Sequence, residues 1–174
     1  MYKDIISMIG TGKIIGFFGD SNFPNSVQGK TLKDRGEAIK RIKPLISALK
    51  PSKVYICPET GLSTSMLALF ASLGIPYSVV NPYQGYFDNI PQKHKLQMFL
   101  GLENSSSVIT MTDKIPSSIH YEQKLVLESQ KFIINNSDII ISAFGNNPNK
   151  KFKNKKQELL DLEDKPVIAI SYAT

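Results

Sequence analysis

The segment Pro58-Glu59-Thr60-Gly61-Leu62-Ser63-Thr64 gathers the residue types that hold an anion. Read as the join between a strand and a helix, it presents unpaired backbone N–H groups at the positive end of a helix dipole. Gly61 removes a side chain where a ligand would lie close, and Thr60, Ser63 and Thr64 add hydroxyls. Phosphate or ribose binding is the chemistry this arrangement suits. The same hydroxyls also make an ordinary helix cap, worth about 1 kcal/mol. Glu59 is the carboxylate of the turn. Beside an anion site it would bind ribose hydroxyls or act as the catalytic acid of glycosidic cleavage; without a placed partner it is a solvated loop acid.

Three further turns carry candidate ligand contacts. Gly19-Asp20-Ser21-Asn22 follows an apolar run, with Gly19 free to take an unusual backbone angle and Ser21 or Asn22 able to donate to phosphate or ribose. Asn81-Pro82-Tyr83 ends another run, and Tyr83, Tyr86 and Phe87 supply aromatic faces for a base. Phe144-Gly145-Asn146-Asn147 ends a third, where Gly145 and Asn146 tolerate left-handed backbone and present amides. Each also reads as a plain turn, because Gly, Asp, Ser, Asn and Pro are the usual turn formers.

Six short apolar runs must position these turns: Ile14–Gly19, Val54–Cys57, Tyr77–Val80, Val108–Met111, Ile139–Ala143 and Val167–Ser171. Near-continuous hydrophobic strands indicate burial on both faces, as in a parallel sheet covered by helices. Helices are expected over residues 2–9, from Thr31 to Leu49 with a kink or split at Pro44, and from Gly61 or Ser63 to a C-terminal cap at Gly74. Others are expected from Gln92 to Leu102, from a Ser117 or Ser118 cap to Asn135 with Tyr121, Leu125 and Phe132 on one face, and near Lys155–Leu162. Gly16 inside the first run implies a close approach by a neighbouring element. The Asp20–Lys30 loop is longer than the usual 2–6 residues or so of a strand-to-helix connection. The alternation predicts an α/β fold: a three-layer α/β/α sandwich on a mostly parallel, Rossmann-like sheet of six strands. Open sheets of this kind bind ligands beyond the carboxyl ends of their strands, where the four turns fall.

The chain has 174 residues, 41% hydrophobic and 21% charged, which fits a single domain spanning residues 1–174, with 1–12 as a leading helix or extension. No apolar stretch reaches the roughly 20 residues needed to span a bilayer, and the N-terminus lacks a signal-peptide shape, so no membrane partner and a cytoplasmic location are expected. One cysteine, Cys57, excludes an internal disulfide and a multi-cysteine metal site. His94 and His120 lack metal-ligand spacing, so no metal is expected. There is neither a GxxxxGK[ST] nor a GxGxxG motif, which argues against a P-loop or standard dinucleotide fold, and no cofactor is indicated. Net charge is +6, part of it from Lys150, Lys151, Lys153, Lys155 and Lys156, which form either a nucleic-acid patch or a solvated basic run.

The stretch GLSTSMLALFASLGIPYSVVNPY resembles the G-x-D-x-x-A…LGIP…P segment of the SLOG superfamily, and SDIIISAFGNN and DKPVIAIS are similar to its ending. That superfamily of Rossmann-like domains includes DprA, the LONELY GUY phosphoribohydrolases and YpsA-type domains. The resemblance places Gly19 to Ser21, Gly61 to Ser63, Pro82 and Gly145 around one nucleotide-type pocket. Ser63 stands where many members carry Asp, and the phosphoribohydrolase signature PGGxGTxxE is absent. The layout is nearest to YpsA-type members, which implies binding of a nucleotide or nucleotide-derived ligand in a sensing role, with a possible homodimer. Two alternatives stay open: an N-glycosidase or phosphoribohydrolase using Glu59, and a DprA-like nucleic-acid-binding protein using the lysine cluster.

Overall fold

The computed structural model describes residues 2–19, 28–57, 62–145 and 164–172. In chain order these form α1 (Tyr2–Ile9), β1 (Ile14–Gly19), α2 (Gln28–Leu49), β2 (Lys53–Ile56), α3 (Leu62–Ser72) and β3 (Tyr77–Asn81). A 3₁₀ turn (Tyr86–Asn89), α4 (Gln92–Glu103), β4 (Ser107–Thr110), α5 (Ile119–Asn135), β5 (Ile139–Gly145) and β6 (Val167–Tyr172) follow. The strands make one sheet in the order β4-β3-β2-β1-β5-β6. Every pairing is parallel, edges included. The expected helix near Lys155–Leu162 and the loop residues Asp20–Val27 lie outside the described residues, while Gln28 to Lys30 belong to α2.

Side chains alternate along each central strand and build two cores. On one face Ile15, Phe17, Val54, Ile56, Tyr77, Val79, Ile141 and Ala143 pack with Ile42, Ile46 and Leu49 of α2 and Leu62, Met66 and Phe70 of α3. On the other, Phe18, Cys57, Val80 and Ile140 pack with Ile133 and Ile134 of α5. The result is a three-layer α/β/α sandwich on a Rossmann-like sheet. The double-sided burial inferred from apolar runs holds for β1, β3 and β5; β4, at the edge, is largely exposed.

Local signals set the element ends. Ser118 caps α5 by accepting a hydrogen bond from the Tyr121 backbone N–H at 3.2 Å. After α3, Gly74 takes φ +67°, its N–H reaches the Ala71 carbonyl, and the Ile75 N–H reaches back to Phe70. Those two bonds are the paired closure of a Schellman motif. Pro44 does not split α2, which runs unbroken from Gln28 to Leu49. Pro44 is exposed, as is Lys40 one turn earlier, so water can take the carbonyl that Pro44 leaves without a donor. In α5 the buried positions are Leu125, Ser129, Gln130, Ile133 and Ile134; Tyr121 and Phe132 flank this stripe rather than centre it.

Gly16 confirms the close approach. A Cβ there would stand 2.8 Å from Ser137 Oγ and 2.9 Å from both Ile133 Cγ2 and Ile140 Cδ1. All three neighbours are side-chain atoms of buried residues with little room to yield, so Gly16→Ala is expected to cost about 1–3 kcal/mol in denaturant unfolding, as overpacking does. Lys165 closes the other end of α5, its ammonium donating to the carbonyls of Ile134 at 2.6 Å, Ser137 at 2.7 Å and Asn135 at 3.1 Å. Lys165→Ala should lower the urea midpoint by an amount equivalent to about 1–2 kcal/mol without changing the slope, since those carbonyls lose a charged donor.

Candidate functional site

In a sheet whose strands all run one way, the carboxyl ends share one rim. Gly19, Asn81 and Gly145 are the last residues of β1, β3 and β5, and Cys57 directly follows β2. The chain leaves β1 toward β2 on one side and returns through α5 to β5 on the other. β1 and β5 therefore flank the switch point where open α/β sheets form their crevice. Of the residues singled out from sequence, Gly19, Ser63, Thr64, Asn81, Pro82, Tyr83 and Gly145 are described, and all belong to this rim. Asp20, Ser21, Asn22, Glu59, Thr60, Gly61, Asn146 and the Lys150–Lys156 cluster lie outside the described residues.

The start of α3 sits against the end of β1. A Cβ on Gly19 would be 3.0 Å from Ser63 Oγ and 3.2 Å from Leu62 Cβ. Gly19 has no left-handed φ, so its lack of a side chain serves this packing and not an unusual turn. Ser63, Thr64 and Ser65 are all buried although polar. Gly145 also differs from the expected turn: β5 continues past Ala143, and Gly145 pairs in register with Tyr172 of β6.

Asn81 continues the face of Tyr77 and Val79, the side on which α3 packs. Its side chain is 7% exposed, and Nδ2 donates to Thr110 Oγ1 at 3.3 Å across the β3–β4 pair. Oδ1 is buried without a hydrogen-bond partner. Leaving a buried acceptor unpaired costs about 1–3 kcal/mol, so such an atom needs a reason.

Tyr83 departs from its expected role. It is 3% exposed, its ring edge-on to Tyr86 at 5.3 Å, and its hydroxyl donates to Glu122 Oε1 at 2.8 Å. It offers no free face to a base in this arrangement; Tyr86 and Phe87, themselves in contact at 5.4 Å, are only half-buried. Glu122 was not singled out from sequence. The signal was present, because residues 122, 125, 129 and 133 fall on the sheet-facing stripe of α5, where a carboxylate is out of place. Among the described residues no group of three or more His, Cys, Asp or Glu could hold a metal, and no helix is long and apolar enough to cross a membrane. Away from the rim, a groove between the C-terminal ends of α2 and α3 is lined by Ile46, Lys50, Pro51, Leu73, Ile75 and Pro76 and has Lys50 as its single charged group.

Fold and rim together define an open, parallel α/β domain with its candidate site at the switch point. No protein-family model matches the chain, and no curated protein matches it. Among solved structures, the catalytic module of a family 98 glycoside hydrolase from Streptococcus pneumoniae TIGR4, in complex with the H-disaccharide blood group antigen, is similar at 15% identity and a TM-score of 0.25. The match covers 92% of this chain and 32% of that module, so the chain spans about a third of its length.

Burial, then the hydrogen bond and charge of Glu122, push the Tyr83 hydroxyl up to about 12, with Asn89 pulling slightly the other way. Burial also raises Tyr77 above its usual value. A folded pKa above the unfolded one adds stability that is fully present below the unfolded value near 10 and disappears as pH rises through about 12. Ultraviolet titration of the seven tyrosines should therefore show a late-ionising fraction, reduced in Tyr83→Phe, and that variant should lose less stability between pH 10 and 12 than the parent.

Proposed function

We propose that this chain is a SLOG-like domain that binds a nucleotide or nucleotide-derived ligand at the carboxyl rim of its sheet, in a sensing or signalling role. The phosphate would rest at the start of α3, where the sequence sets Gly61 and the hydroxyl residue Ser63 beside the positive end of a helix dipole. The observation that carries this reading is the Asn81 Oδ1 acceptor, buried and unpartnered on the α3 side of the same rim. A ligand hydroxyl or amino group would satisfy it. The close packing of Gly19 against Ser63 and Leu62 supports the reading only in that it brings the end of β1 and the start of α3 together at the rim. The likeness to YpsA-type members carries a cytoplasmic location and pairing of two copies as parts of the same proposal.

Thermal-shift screening with a panel of nucleotides tests it. At least one member should raise the melting temperature, and both Asn81→Ala and Gly61→Asp should abolish that shift while leaving a cooperative transition. No shift across the panel counts against the reading. Release of free base from a bound nucleotide, lost in Glu59→Gln, would move the assignment to an N-glycosidase.

A further inference from the structure

Three of the four positions on the sheet-facing stripe of α5, Leu125, Ser129 and Ile133, are buried core. The fourth, Glu122, heads that stripe in the first turn and is half-buried. A carboxylate partly withdrawn from water keeps fewer water contacts and gains from each fixed donor. Among the described residues no cation pairs with Glu122; its side-chain bond is the one from the Tyr83 hydroxyl to Oε1. Tyr83 is itself fixed by burial and by its edge contact with Tyr86. The carboxyl group is thus held in place by a neutral donor and retains a second oxygen as an acceptor.

Its place in the fold says where that acceptor works. α5 follows the carboxyl end of β4, so its first turn belongs to the rim that carries Gly19 and Asn81. α3 packs on one face of the sheet and α5 on the other. Ser63 and Asn81 therefore approach the rim from one side, and Glu122 from the opposite side. We propose that Glu122 is the specificity-determining residue for the sugar: it accepts hydrogen bonds from the vicinal 2′- and 3′-hydroxyls of a ribonucleotide that straddles the rim, with the phosphate at α3. This rests on the nucleotide reading above. The vicinal diol of the ribose is the paired donor on a nucleotide that one carboxylate can take, and losing one hydroxyl leaves a desolvated acceptor unmet. Tyr83 is the positioning residue that aims the carboxylate.

Calorimetric titration of the full chain with AMP, GMP, CMP and UMP, and with their 2′-deoxy and 3′-deoxy counterparts, separates the possibilities. The ribonucleotide that binds should do so at least about tenfold more tightly than either deoxy form, the scale of one lost bond to a charged group. Glu122→Gln keeps an acceptor for the Tyr83 hydroxyl and so retains the fold; it should lose most of the ribose preference while binding the deoxy forms nearly as before. Equal affinity of the unmodified chain for ribo and deoxy forms overturns the role of Glu122 and leaves nucleotide binding standing, a comparison that needs no variant. Full ribose preference in Glu122→Gln overturns it as well. Binding of no member of the panel removes the nucleotide reading and this inference together.

Discussion

The structure depends on β1 being squeezed between two helical layers at positions where no side chain fits. Gly16 lets α5 descend onto the sheet until Ser137, Ile133 and Ile140 would touch any Cβ placed there. Three residues later, Gly19 lets α3 do the same from the opposite face. Interiors pack like organic crystals, so contacts this tight leave each helix little freedom of height over the sheet where the glycines lie. The start of α3 takes its place beside the rim from Gly19, while Gly16 fixes the last turn of α5 against the sheet.

The two sides of that rim differ chemically. On the α3 side are the buried hydroxyl residues Ser63, Thr64 and Ser65 and one amide whose carbonyl oxygen has no partner. Among its described residues this surface carries no formal charge of its own. On the α5 side a carboxylate is tethered by a tyrosine whose burial keeps it protonated far above ordinary pH. A neutral hydroxyl avoids the desolvation of a second charge that a buried ion pair would require. The arrangement is polar throughout but charged on one side only, which suits a ligand with an anionic end and a hydroxylated middle.

Much of the fold was legible in the chain. The six apolar runs became six strands with boundaries shifted by a residue or two, and the double-sided burial that demands continuous hydrophobicity holds for β1, β3 and β5. Ser118 and Gly74 read correctly as caps, since a hydroxyl before an apolar stripe and a glycine after one act through local geometry. The split allowed for at Pro44 does not occur, because the effect of a proline depends on which side of the helix meets water, and packing decides that. The turn assigned at Phe144-Gly145 instead continues β5, because β6 supplies the hydrogen bonds that keep the strand extended.

For the site, the division has the same cause. The sequence by itself determined where the strands lie to within a residue or two, and hence that the turns after them fall along one rim of the sheet, because period and polarity are local properties. Only the tertiary structure decided that Asn81 keeps an unsatisfied acceptor, that Tyr83 is spent on internal packing, and that Glu122, 39 residues away, meets its hydroxyl. Those outcomes depend on how far two layers approach across the sheet, a distance set by pairs of residues remote in the chain and invisible to any reading of spacing along it.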